Sequence, residues 1–158
     1  MTSNRLRPLL IPSLAAVLAL AGCTSDDARA AVTPPPAPAA DVAKVCAALH
    51  RELPETVAGR DRIDPEPASD LTAAWGGAAI VLRCGVPRPA KMDDPMALGA
   101  EWDGVGWMAE ELRSGGVRFT STYREAYVEV VVAQGVATEV GVLDPIVAAV
   151  KKTVPPTV

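Results

Sequence analysis

Three cysteines are the residues of this chain with the clearest chemistry. Cys23 directly follows the small pair Ala21-Gly22, which closes an apolar run from Leu9 to Ala21 broken by Pro12. Arg5 and Arg7 stand before that run. Charge, apolar stretch and small-residue cleavage site is the order of a secretion signal. A cysteine immediately after the small pair matches a bacterial lipobox, where a diacylglyceryl group joins the thiol and the chain is cut before it. Residues 1–22 are therefore expected to be a lipoprotein signal peptide, and Cys23 the lipidated first residue. One acyl chain adds only about 0.8 kcal/mol per buried methylene and binds marginally, so two or three chains such as palmitate are needed for a stable anchor. Two alternatives stand beside this. Ala28-Arg29-Ala30 has the A-x-A form of a plain secretory site, far from the apolar run. A retained membrane helix would need ~20 apolar residues, more than this run offers.

Cys46 and Cys84 are then left as one pair. Outside the cytoplasm such thiols oxidise, which predicts a Cys46–Cys84 disulfide; two buried reduced thiols are the alternative. Closing a loop of that length stabilises a fold by about 4 kcal/mol in the chain-entropy description. A metal site is not expected, because two cysteines and the single His50 lack zinc spacing.

Other reactive constellations are thin. His50 sits between Leu49 and Arg51 on an amphipathic pattern and reads as an exposed helix residue. Asp93-Asp94 falls in a proline-flanked loop and reads as solvated. Glu110-Glu111 are strand neighbours that point to opposite faces and cannot form one site. There is no Gly-x-Ser-x-Gly elbow and no phosphate loop. No catalytic residue and no cofactor is expected.

The chain has 158 residues. Losing Arg5 and Arg7 with the signal leaves 13 basic against 19 acidic side chains, a formal charge of −6. An acidic balance argues against nucleic acid, which needs a basic face. Residues 23–40, with Pro34-Pro35-Pro36 and Pro38, read as an unstructured Ala/Pro-rich tether with extended polyproline character. Residues 41–154 form one ordinary domain.

Within that domain, Val42, Val45, Cys46, Leu49 and Leu53 recur at helical spacing, with Asp41 as N-cap and Pro54 as stop. Residues 55–71 read as loop. Strands are expected at 78–84, 105–112, 117–121 and 126–132. Residues 137–152 read as helical, with Asp144-Pro145 restarting the helix. The fold class expected is α+β: an antiparallel sheet of about four strands, with an N-terminal and a C-terminal helix packed on one face.

A four-residue loop at 122–125 would pair Phe119 with Val128 and Arg118 with Glu129, gathering the apolar residues on one side. Arg118, Thr120, Tyr127, Glu129 and Arg83 would share the other side. That polar side is either a solvated ion-pair surface or a ligand face for an anionic group or carbohydrate. Trp75, Trp102 and Trp107 read first as core packing, since a large aromatic dominates the burial of a small core; the alternative is a partly exposed platform beside that polar side, for which Trp75, between a predicted loop and two glycines, is best placed.

The segments Trp75-Gly76, Leu82-Arg83-Cys84-Gly85-Val86-Pro87 with Pro89, Gly104-Val105 with Trp107, Phe119-Thr120, and Arg124 before Tyr127-Val128-Glu129-Val130 resemble the DUF3515 family. That resemblance implies a small actinobacterial lipoprotein or membrane-anchored protein of uncharacterised function. It spans roughly residues 46–150. The chain departs from the pattern at Gly77, Ala78 and Ala133, where the family has a polar residue and prolines. The family supplies no catalytic residues.

These readings together predict a protein anchored by lipid on the extracytoplasmic face of the cell membrane. A non-catalytic binding or accessory module of the cell envelope, with a protein or glycan partner, is the first expectation. An enzyme acting on cell-wall or lipid material, and a purely structural lipoprotein, are the alternatives.

Overall fold

The protein was analysed as a computed structural model, in which residues 30–136, 141 and 143–157 are described. The signal segment 1–22, Cys23 and most of residues 137–142 lie outside the described residues.

Helix α1 (Ala40–Glu52) opens the domain, with Asp41 in its first turn where a carboxylate favours the positive helix end. Among the described residues eight strands follow: β1 (Thr56–Val57), β2 (Arg60–Ile63), β3 (Thr72–Trp75), β4 (Ile80–Cys84), β5 (Leu98–Trp102), β6 (Val105–Glu111), β7 (Val117–Thr122) and β8 (Val128–Val132). Helix α2 (Asp144–Thr153) closes it, with Pro145 in its first turn. All eight strands make one antiparallel sheet in the order β1-β2-β3-β4-β8-β7-β6-β5. It consists of two four-strand meanders joined where β4 meets β8.

This corrects the four-strand expectation. The strands anticipated were β4, β6, β7 and β8. The missing ones lie to either side of them. Residues 55–71 hold β1 and β2, which turn on Ala58-Gly59, both at positive φ. Strand β5 folds back on β6 through Asp103-Gly104, again both at positive φ, the backbone a two-residue hairpin needs.

One apolar cluster takes Cys46 and Leu49 from α1, Ile146, Val147 and Val150 from α2, and alternate residues of the strands. In β4 these are Ile80, Leu82 and Cys84, while Val81 and Arg83 point away. Cys46 and Cys84 form a disulfide with Cα atoms 5.5 Å apart. It closes a sequence separation of 38, about 4 kcal/mol of loop entropy in the unfolded chain.

The second face of the sheet is covered in part by chain expected to be a free tether. Val32 N–H donates to Glu66 O (3.1 Å) and Glu66 N–H to Ala30 O (2.9 Å). Ala30 and Val32 pack with Ala74, Ile63, Ala78 and Val81. The alanines and valine of this segment can therefore bury apolar surface, because Ala74 and Ala78 leave room for them. Proline content alone does not make residues 30–39 a spacer.

The β7–β8 register is also corrected. Phe119 faces Val130 and Thr120 faces Glu129, two residues away from the expected pairing. The loop is longer because Ser121 Oγ accepts the Val128 N–H at 2.9 Å, taking the place of a ladder bond. The C-terminal tail then docks on it, with Glu125 N–H on Pro155 O and Thr157 N–H on Tyr123 O, both at 3.0 Å. A slip of two leaves every side chain on the face it would otherwise occupy, so the face assignments survive.

His50 is half-buried, not exposed. Its Nε2 lies 2.9 Å from Arg62 NH2, so the ring accepts there. Arg62 also donates to the carbonyls of His50 (3.1 Å) and Leu53 (3.4 Å), which α1 leaves unsatisfied at its end. Burial, then the Arg62 charge, holds the His50 pKa below its ordinary value. The unfolded chain therefore takes up a proton at His50 before the folded one does, and stability falls as pH drops through about 6.5 toward the lowered folded value. Urea midpoints at pH 7.5 and 5.5 are expected to differ less in His50→Gln than in the parent; an identical pH slope would contradict this placement.

Candidate functional site

The polar residues singled out from sequence divide into three environments. Arg83, Glu129 and Arg118 come together on the second face of the sheet. Arg83 lies directly across from Glu129 in the β4–β8 ladder. Its NH2 and Nε donate to Oε1 at 2.7 and 2.9 Å. Arg118 reaches the same carboxylate diagonally, with Nε 3.3 Å from Oε2, an ionic contact not aligned as a hydrogen bond. Arg118 also lies 3.9 Å from Glu110. The Glu129 side chain is 7% exposed, against 32% and 35% for the two arginines. Both guanidinium groups are thus spent on a nearly buried carboxylate, which limits what they can offer an incoming anion. The geometry describes an internal clamp.

Trp75 does not join this face. It is fully buried in the main apolar cluster, and its Nε1 donates to Pro54 O at 3.0 Å. Within β3 the alternation puts Ala73 and Trp75 on the helix side and Ala74 on the other. The alternative of an exposed Trp75 fails because the Gly76-Gly77 turn follows a buried strand rather than extending a loop.

Tyr127 belongs to a separate feature, a groove of about 680 Å³ that sequence reasoning missed. Its walls include the edge strand β5 from Leu98 to Glu101, Met92 of the β4–β5 connection, and Thr122, Tyr123, Arg124 and Tyr127 beside β7 and β8. Small residues open it. Gly106 pairs with Thr122, and a side chain at Gly106 would collide with the Thr122 hydroxyl. Gly99 and Ala100 add little bulk on the outer side.

The groove is held from two directions. Arg124 is 8% exposed and donates to Val154 O (2.9 Å) and Gly104 O (2.8 Å), tying the end of α2 to the β5–β6 turn. Trp102 Nε1 donates to Asp144 Oδ1 (3.1 Å) and packs edge-on against Phe119 at 6.1 Å. Strand β5 is therefore fastened at its Trp102 end. At the Leu98 end, Lys91 pairs with Asp94, and with the Met96 N–H it holds the Asp94 carboxyl below its usual range. Beside these, Met96 (81%), Leu98 (68%) and Tyr123 (81%) are the exposed large apolar side chains among the described residues.

Among the described residues no group of three His, Cys, Asp or Glu side chains is placed to hold a metal. No helix there is long and apolar enough to cross a membrane. Cys23 cannot be placed, as it lies outside the described residues. The Cys46–Cys84 pairing is present.

A disulfide-linked α+β domain on one antiparallel sheet, with a groove at one edge, is the class that fold and site define. The chain belongs to the family described as "Protein of unknown function (DUF3515)", which it matches over residues 8–158. No curated protein and no solved structure matches it.

If the clamp is structural, Glu129→Ala leaves two guanidinium groups without their carboxylate and lowers stability by about 2–4 kcal/mol in urea unfolding. Arg83→Ala or Arg118→Ala, each partly solvated, should cost only about 1 kcal/mol. A Glu129→Ala midpoint equal to the parent's would contradict the assignment.

Proposed function

We propose that the protein is a lipid-anchored extracytoplasmic module of the cell envelope that binds a partner without catalysis. The groove is its contact surface. The observation that supports binding is the concave site of about 680 Å³, whose lining carries the exposed Leu98 and Tyr123 together with Met92. Exposed apolar groups gathered at a cleft mark recognition surfaces, whereas isolated ones do not. The location is supported by the Arg5–Cys23 segment read as a lipobox. Acylated Cys23 would hold the domain close to the bilayer, because Ala30, only seven residues further along the chain, already packs with Val32 on the sheet. Arg83 and Arg118 are assigned to the clamp on Glu129 and not to the partner.

Photo-crosslinking of the full chain in intact cells tests this reading, followed by intact mass of the membrane-extracted protein. Crosslinkers at Tyr123 and at Tyr127 are expected to capture the same species, and one at exposed Arg51 of α1 none. The uncrosslinked mass should correspond to cleavage before Cys23 plus acyl chains. No adduct from either groove position, or an unacylated chain, would contradict the proposal. An adduct of twice the chain mass would report self-association and not a separate partner.

A further inference from the structure

We propose that β5 is a self-pairing edge, where a second copy of this chain adds its own β5 antiparallel to the first and completes the outer wall of the groove.

The two ends of the sheet are treated differently. Strand β1 is only two residues long, and a very short edge strand is one way to blunt an exposed ladder. Strand β5 has five residues, four of them exposed, and pairs β6 without a bulge from Leu98–Ala109 to Trp102–Val105. Its sequence Leu-Gly-Ala-Glu-Trp has no lysine or proline to discourage an incoming strand. The edge carries one charge, Glu101, and among the described residues β5 has β6 on one side and no strand on the other.

The sequence of β5 favours its own copy as the occupant. A five-residue strand pairs with itself over its whole length only when the two-fold axis passes through the middle residue, Ala100. In that register Leu98 faces Trp102 of the second copy, and Gly99 faces its Glu101. The one charge in the strand is then set against a glycine and not against itself. Centring on Glu101 would bring two carboxylates directly opposite, which is destabilising. Two apolar Leu98–Trp102 pairs flank the axis, and the small Ala100 and Gly99 let the backbones approach. Such an interface is isologous and closes on itself, so it gives a dimer and not a fibre. It also joins two eight-stranded sheets into one. The groove wall formed by Leu98–Glu101 then continues into the second copy.

The inference does not depend on the lipid anchor or on a separate partner. Sedimentation velocity of the full chain, purified in one detergent over a range of concentrations, is the test. The parent is expected to show a reversible monomer–dimer equilibrium. Ala100→Lys sets two ammonium groups against each other on the axis and should weaken the dimer several-fold. Gly99→Lys sets each new ammonium opposite Glu101 of the other copy and should tighten it about two- to thirtyfold. Room exists for that side chain, since only Trp107 O lies within 4 Å of a Cβ at Gly99, at 3.8 Å. Thr56→Lys on β1 should change nothing. A parent that stays monomeric throughout overturns the proposal. So does a dimer indifferent to Ala100→Lys, or one that Gly99→Lys weakens. If Ala100→Lys does not fold, Ala100→Cys in the full chain should give a linked dimer on oxidation that Thr56→Cys does not. Equal yields from the two would overturn the proposal.

Discussion

Strand β4 meets β8 along five consecutive pairs, from Ile80 with Val132 to Cys84 with Val128, and these pairs join the two halves of the sheet. Each half is a meander of neighbouring hairpins that could form locally. Their union is not local. After Cys84 the chain runs through residues 85–97 to the far edge, lays down β5, β6 and β7, and only then returns beside β4. Ordering that excursion is a conformational cost. It is offset by a valine-rich β8 whose Val128, Val130 and Val132 are buried against Ile80 and Leu82 in the main cluster. The disulfide fastens α1 to the last residue of the same β4 strand. Helix, meander and seam are thus constrained at one place.

The seam also explains the polar residues. Glu129 falls opposite Arg83 in the ladder and diagonal to Arg118, so its carboxylate is met from both neighbouring strands. A charge this buried is costly without partners, and the arginines that supply them are themselves partly solvated. The groove is built by the opposite extreme of chemistry. The groove exists because β5, β6 and the turn between them carry Gly99, Ala100, Gly104 and Gly106, and because Trp102, Asp144 and Arg124 hold the hairpin in place without filling it.

What could be read from the residues follows from where the physical signal lies. Helix α1 and strands β4, β6, β7 and β8 show periodic apolar spacing and were legible. The polar face was legible too, because a register error of two leaves faces unchanged. Strand β2, Arg-Asp-Arg-Ile, has three charges and no alternation to detect. Strand β3, Thr-Ala-Ala-Trp, is buried on both faces with small residues, since Ala30 and Val32 cover its outer side. That cover also explains the misplaced tether, whose alanines match a docking strip that only the folded sheet creates. Strand β5 was missed although Asp103-Gly104 is a hairpin signal, because glycine and alanine gave no strand signature beside it. His50 was misplaced, and Trp75 was left between two readings. The partner of His50, Arg62, is supplied by a segment read as loop, and that of Trp75 is the backbone carbonyl of Pro54, read only as the helix stop.

The β4–β8 seam makes the two meanders one cooperative unit. Native-state hydrogen exchange of the disulfide-intact full chain under increasing denaturant tests it most directly. The claim predicts that amides of β3, β4, β7 and β8 exchange at a single opening free energy equal to that of global unfolding. Exchange of β6–β8 through an opening that leaves β3 and β4 protected would contradict it, and would make the second meander a separate unit resting against the first.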